Sequence, residues 1–492
     1  MKLNFKIIIN FIGLLLIFNG LCMAMAAFVS FYYSESVIPL LSSSAISIVV
    51  GLLCWVIMKN ASKDLKKKEG YLIVAFVWVF ISLSGMLPYL ISGAIPDVAS
   101  AIFETMSGYT TTGATILEDI ESLEKGILFW RSLTHWIGGM GIIVLTIAIL
   151  PILGIGGMEL FLAEAPGPTA DKLHPRITQT AKRLWYIYLG LTISETILFK
   201  LAGMGWFDAV NHAMSATATG GFSTRNASIA YFQSPLIEYM ICLFMFIGGT
   251  NFTLIYFGFK GRFKKLYRNE EFKTYMSVVL FFTFIVSVGV FFFKDSSIEE
   301  SFRHALFQII AVITTTGFVT ADFTSWSSAI TIIFFLLMFV GASAGSTSGG
   351  VKVVRHLIIL KNSILEFKRL LHPSAIIPVR LNKRMIPPKI VFNVHAFILL
   401  YLSIFIIGSI FMALFGFNFE VKLIGDNIIS SMGSVAATLG NVGPGIGSVG
   451  PMSNYAEVSN LGKWFLSGLM LLGRLELFTI LILFTPYFWK NT

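Results

Sequence analysis

Charge is scarce in this 492-residue chain: lysine, arginine, aspartate and glutamate together make up 13% of it, and cysteine occurs only three times. So little charge beside 55% apolar residues fits neither a disordered chain nor a soluble globular domain. Cys22, Cys54 and Cys242 sit inside apolar runs without metal-ligand spacing, so no disulfide framework and no redox or metal centre is expected of them. The seven histidines are scattered, and none stands in a His-Glu-x-x-His arrangement. A membrane-embedded enzyme would need a convergent nucleophile, base or metal, and is disfavoured.

What the chain does have is long apolar runs, which make it a polytopic membrane protein. The net charge of +10 lies in short basic blocks at 59–68, 172–183, 260–273 and 352–389. These alternate with connections poor in lysine and arginine, and counting spans puts all four on one side, the cytoplasmic one. They read as topology signals and lipid contacts, not as a nucleic-acid surface. An apolar stretch at about 7–32 follows Lys2 and Lys6, and a second lies at about 37–58. The first is either a retained spanning helix or a signal peptide cleaved near Ala24-Met25-Ala26.

Four polar loops stand out among the later spans. Ile313-Thr314-Thr315-Thr316-Gly317-Phe318 is repeated closely by Tyr109-Thr110-Thr111-Thr112-Gly113-Ala114. Thr217-Ala218-Thr219-Gly220-Gly221-Phe222 repeats it loosely, and Ala436-Ala437-Thr438-Leu439-Gly440-Asn441 more loosely. Gly113, Gly220, Gly317 and Gly440 recur at intervals of roughly a hundred residues, as one structural unit used four times would. Any one loop alone would be an ordinary turn between helices. Four in matching surroundings suggest a ring, because a cation stripped of water needs oxygens to replace it. Consecutive backbone carbonyls aimed at one axis supply them, and glycine permits the positive φ such a backbone requires.

The expected fold is therefore an all-α polytopic membrane protein. Four helix–re-entrant pore helix–helix repeats surround a pseudo-fourfold pore, after an amino-terminal helix pair. The units are 1–69 for the pair, then 70–160, 161–272, 273–388 and 389–492. Within the repeats the two spans are expected at about 71–92 and 127–153, 185–204 and 236–259, 275–293 and 328–340, and 390–415 and 463–487. The re-entrant helices are expected at 97–109, 208–217, 301–313 and 426–435, each too short to cross alone. Asp97, Asp208 and Asp426 stand at or near the starts of these helices, with Ser301 in that place in the third. Helix capping and ion capture both account for them, and either way the negative helix ends aim inward. Glu104, inside the first re-entrant helix, is a candidate brace for the filter.

The third repeat's last helix continues to about residue 371 past an interruption. Residues 341–350 (Gly-Ala-Ser-Ala-Gly-Ser-Thr-Ser-Gly-Gly) hold a helix poorly and form either an obstructing loop below the filter or a close-packing seam. A phosphate loop is rejected, since Lys352 lies between Val351 and Val353. Arg474, a permanent charge in the apolar last helix, is a functional candidate or half of a structural ion pair. Glu476 is badly placed to pair with it on one helix. Glu195 is a further intramembrane acid.

The loops, the 341–350 run, Leu472-Gly473-Arg474-Leu475-Glu476-Leu477-Phe478, Trp136-Ile137-Gly138-Gly139-Met140-Gly141-Ile142 and the motifs at 164–169 and 171–176 together resemble the Trk/Ktr/HKT superfamily of potassium transport proteins. The likeness is greatest to its TrkH branch and covers essentially the whole chain. The resemblance implies a potassium filter of Thr110, Thr111, Thr112, Gly113, Ala218, Thr219, Gly220, Thr315, Thr316, Gly317, Thr438, Leu439 and Gly440. Glycine at all four positions implies potassium over sodium. It further implies a gate of Gly341, Gly345, Gly349, Gly350 and Arg474, and a retained amino-terminal pair. By the same resemblance the chain is a homodimer in the bacterial inner membrane, on a cytoplasmic ring of nucleotide-binding, TrkA-like subunits. Potassium is its substrate and no covalent cofactor is expected. A sodium- or proton-coupled carrier on the same scaffold is the alternative reading.

Overall fold

The structure is a computed structural model that describes residues 3–59, 67–141, 177–294, 296–417 and 424–490. The motifs at 164–169 and 171–176, the end of the span expected at 127–153, and parts of the basic blocks at 59–68 and 172–183 lie outside the described residues. Among the described residues, six helices are long and apolar enough to cross a membrane: Phe5–Tyr32, Ile38–Ile57, Lys68–Ser92, Lys182–Leu201, Glu270–Lys294 and Pro388–Phe415. Leucine, isoleucine and phenylalanine fill them on all sides, which suits helices bathed in lipid on one flank and protein on the other. Phe284, Phe292, Leu399 and Ile407 accordingly lie exposed on the outer flanks. A two-stranded hairpin, Arg380–Leu381 with Arg384–Met385, is the one sheet among the described residues.

Four shorter helices carry the loops: Val98–Tyr109, Trp206–Thr217, Ile298–Ile313 and Ile424–Leu439. We call them pore helices one to four. Asp97 caps the first by accepting from the Ser100 N–H at 2.8 Å. In the third the cap is Ser297, not Ser301. Two acids, Glu299 and Glu300, fill the first turn, and Ser301 is buried beyond them with its hydroxyl on Ser296. Asp208 also lies one turn inside, since Gly205 is the N-cap of the second.

Two expected spans are broken. The span at 236–259 is Pro235–Gly248 followed by Phe252–Phe259, bent by 109°. Asn251 starts the second piece by accepting from the Thr253 N–H. The break lets the carbonyls of Gly248 and Gly249 accept from the backbone of the 341–350 run, at the N–H groups of Thr347 and Ser343. The last span is likewise Asn460–Arg474 followed by Phe478–Phe484, also bent by 109°. Glu476 and Leu477 between them have positive φ, a conformation that costs side-chain-bearing residues energy and ends a helix.

The amino-terminal helix is interior rather than peripheral: 61% of its apolar window is buried in protein, against 22% for Glu270–Lys294. Glycines bring it against the second helix. A Cβ on Gly51 would lie 2.6 Å from the Gly13 carbonyl oxygen, and one on Gly13 would lie 2.7 Å from that of Gly51. Buried Asn19 then accepts a 2.5 Å bond from the Tyr109 hydroxyl at the end of the first pore helix. The pair thus supports the loop region directly. Gly51→Leu is expected to force these helices apart and destabilise the protein by about 1–3 kcal/mol, read as a lowered Tm in detergent. An unchanged Tm would contradict the contact.

Candidate cation pathway

Each pore helix ends in the same way. The N–H groups of Thr110, Thr111 and Thr112 return to the carbonyls of Met106, Gly108 and Ser107. The same three-bond pattern joins Ala218, Thr219 and Gly220 to Met214, Ala216 and Ser215, and joins Thr314, Thr315 and Thr316 to Ile310, Val312 and Ala311. It also joins Gly440, Asn441 and Val442 to Ala436, Thr438 and Ala437. This is a helix C-terminal motif with a left-handed residue after the cap. Here the left-handed residues are Thr111, Thr219, Thr315 and Asn441, with φ of 52°, 53°, 55° and 53°. A β-branched residue pays of order 1–3 kcal/mol there. Three threonines in this conformation mark a site under constraint.

Two residues later the backbone turns left-handed again, at Gly113, Gly221, Gly317 and Gly443. This corrects the register expected from sequence in two loops. Gly220 and Gly440 are not left-handed; they stand one and three residues before the glycines that are. Gly440 occupies the place of Thr110, and Thr438 and Leu439 are the last residues of pore helix four. The helix end, rather than the threonine pattern, sets the register.

The four glycines close a ring. A Cβ on Gly113 would strike the Gly220 carbonyl oxygen, one on Gly221 that of Thr316, one on Gly317 that of Val442, and one on Gly443 that of Thr112. Each loop lies on the carbonyl of the next, and the fourth returns to the first. Among the described residues no backbone donor reaches the carbonyls of Thr112, Gly220, Thr316 and Val442. The glycines line the floor of a cavity of about 190 Å³ that also touches Glu118, Arg131, Asn226 and Tyr455. Asn226 also donates at 3.0 Å to the exposed carboxyl of Asp119, which this bond holds below the usual carboxylate range.

The other end of the ring is covered. The 341–350 run lies against three of the four left-handed residues, Thr219, Thr315 and Asn441. The Gly349 N–H donates to the Thr315 hydroxyl at 2.6 Å, and Thr347 meets the Thr219 hydroxyl at 3.2 Å. A Cβ on Gly349 would lie 2.6 Å from that of Asn441. Arg474 completes the cover, donating to the Thr111 hydroxyl at 3.0 Å and to the carbonyls of Thr347 and Gly138 at 2.8 and 2.5 Å. Gly345 and Gly350 have φ of 70° and 67°, and Gly341 donates to the Val351 carbonyl to fold the run on itself. Lys352 donates into it, to the Ser348 and Gly349 carbonyls. Glu476 is paired with Arg355.

Several contributors were not singled out from the sequence. Arg131 pairs with Glu104 at 2.7 Å, both almost fully buried. It lies over the Phe222 ring at 3.5 Å and donates to the Ser223 carbonyl. An arginine inside the apolar stretch after residue 126 was the available signal. His135 stacks on Phe222 at 3.9 Å and fills the space beside Gly220. Tyr455 donates to the Gly443 carbonyl. Glu195, which the sequence did single out, is buried near Thr217, with its Oε2 lacking a hydrogen-bond partner among the described residues.

The chain matches the profile of the TrkH family, described as cation transport protein, over residues 40–287 and 275–490. It is 39% identical to the Trk system potassium uptake protein TrkH of Halomonas elongata, over 99% of this chain and all of that one. The TrkH protein of Escherichia coli K12 is likewise 39% identical, with the same coverage. The crystal structure of the potassium transporter TrkH from Vibrio parahaemolyticus superposes with a TM-score of 0.88 at 36% identity, over 99% of this chain and 100% of that one. Gly443→Ala, whose Cβ would lie 2.5 Å from the Thr112 oxygen at a φ of 95°, is expected to cost about 1–3 kcal/mol. Gly468→Ala, whose Cβ would meet no atom within 4 Å beyond its own helix backbone among the described residues, should leave the Tm unchanged or raise it. Equal melting of the two would count against the ring.

Proposed function

The chain belongs to the TrkH family of cation transport proteins, and from that premise we propose that it is the ion-translocating membrane subunit of a potassium uptake system. The observation that carries this reading is the closed ring of four glycine-backed loops. Its carbonyls at Thr112, Gly220, Thr316 and Val442 would replace the hydration shell of a potassium ion, with Thr110, Thr111, Ala218, Thr219, Thr315 and Asn441 shaping the approach. Gly221 and Gly443 take the parts first given to Gly220 and Gly440. Four pore helices ending at the ring add their negative ends to the same point.

In this reading the 341–350 run is the gate. It is held against the inner mouth by hydrogen bonds to Thr219 and Thr315, and Arg474 places a fixed positive charge where an ion would leave. No covalent chemistry occurs: the ion exchanges one set of oxygens for another. The test is rubidium and sodium flux into proteoliposomes. Potassium-competed rubidium entry should be weakened by Gly113→Ser with sodium gaining. Arg474→Gln should raise basal rubidium entry about tenfold, equivalent to about 1.4 kcal/mol. Equal rubidium and sodium entry in every form would remove the selectivity claim. Flux only under a sodium or proton gradient would favour the coupled carrier.

Dimerisation and a cytoplasmic nucleotide-binding ring belong to the same proposal. The basic connections 260–273 and 352–389, which include the Arg380–Met385 hairpin, offer the docking surface. Charge reversal in these blocks is expected to abolish copurification with the regulatory subunit, and retained copurification would count against this docking.

A further inference from the structure

In three of the four repeats, one buried side chain of the pore helix holds the loop to its own helix. Thr110, Ala218, Thr314 and Gly440 follow the last turns of the four pore helices, and six positions before them stand Glu104, His212, Gln308 and Ser434. All four are buried. Three of them cross to the chain just beyond the left-handed glycine. Glu104 accepts from the Thr115 hydroxyl and the Ile116 N–H, each at 2.9 Å. The His212 Nε2 meets the Ser223 hydroxyl at 2.9 Å, and Gln308 donates to the Thr320 hydroxyl at 3.3 Å. These contacts tie the outgoing segment of these three loops to its own pore helix without passing through the carbonyl ring.

The fourth repeat reaches the same end differently. Ser434 is too short to cross and bonds back to the Ser431 carbonyl. There the pore helix itself touches the outgoing strand: a Cβ on Gly433 would lie 2.6 Å from the Ile446 nitrogen and oxygen. Tyr455 holds the Gly443 carbonyl from the far side at 2.8 Å. The first repeat is reinforced instead. Arg131 pairs with Glu104 and reaches the Ser223 carbonyl at 2.9 Å, so that one buried ion pair links the outgoing strands of repeats one and two.

We infer that Glu104 with Arg131, His212 and Gln308 are positioning residues that fix the spacing of the carbonyl ring and so its discrimination between cations, without touching the ion. Inward-pointing carbonyls repel one another, and their separation and number decide which ion they hold best. A tether behind each loop resists both spreading and collapse. The inference rests on the filter reading above. It extends selectivity to side chains that lie behind the filter.

The experiment is the rubidium-to-sodium flux ratio of the full-length protein in proteoliposomes, with Gly113→Ser measured beside each variant. Gln308→Leu and Thr320→Val, both close in shape to the native residues, should each lower the ratio about threefold, as loss of one hydrogen bond of modest net strength predicts. Glu104→Gln, which also unpairs Arg131, should lower it about tenfold or more. If Glu104→Gln fails to reconstitute, the two neutral variants decide the matter. A wild-type ratio in both, with Gly113→Ser still altering it, overturns the tether and leaves the filter standing. A Gly113→Ser protein with an unaltered ratio overturns the filter reading and the tether together.

Discussion

A carbonyl oxygen and a Cβ cannot occupy the same place, and the architecture of the pathway follows from that exclusion. Where one loop crosses the next, the oxygen of Thr112, Gly220, Thr316 or Val442 stands where a side chain would begin on the neighbour. Only glycine fits, and only with left-handed backbone. The preceding left-handed residues are not glycine, so the loops carry local strain. The pore helices offset it by accepting three N–H bonds from every loop at their last carbonyls. The helices in turn must be held still, which explains the concentration of buried ion pairs around them. Glu104 with Arg131 and Glu238 with Arg303 are both short and largely shielded from water. Such pairs contribute modestly to net stability, but removing one partner is costly, so they fix geometry more than they raise stability.

The two ends of the ring have opposite characters. Towards the cavity the wall is polar and open, with Glu118, Asn226 and the four glycines. Towards the 341–350 run it is packed, and Arg474 and Lys352 place two cationic side chains among backbone carbonyls. Both side chains donate to oxygens of the kind a potassium ion would use. On the proposed gating role, ion and side chain would compete for similar partners, and closure would need no separate lock beyond that competition. The breaks at 249–251 and 475–477 serve the same packing, because each turns a spanning helix aside to admit the run.

Much of the fold was legible in the sequence because lipid imposes a simple rule on composition. Apolar stretches of some twenty residues read as spans, the first with a signal peptide as its alternative, and Thr-Thr-Gly loops after short helices could only be placed where protein or water satisfies the backbone. The first and third loops were read in register. The second and fourth were not, because Gly220-Gly221 and Gly440-Asn441-Val442-Gly443 each offer two glycines. The choice between them is made by where the pore helix stops. The cap of the third pore helix was misplaced for a related reason: Ser297 and Ser301 both precede helical sequence, and only the turn geometry separates them. The bends lacked any proline to announce them and arise from tertiary contacts. The Arg131 partner of Glu104 lies on another helix, and nothing in a linear pattern joins the two.

Because the four walls of the ring are encoded separately, they are free to differ, and the fourth does. Its outermost glycine carbonyl is already engaged by Tyr455, while its inner neighbour is an asparagine that reaches across to Thr112. In a pore assembled from identical subunits a single codon change is copied around the whole circumference and is felt four times. Here it is felt once. A substitution in one loop can therefore alter one wall of the ring and leave the other three as they are.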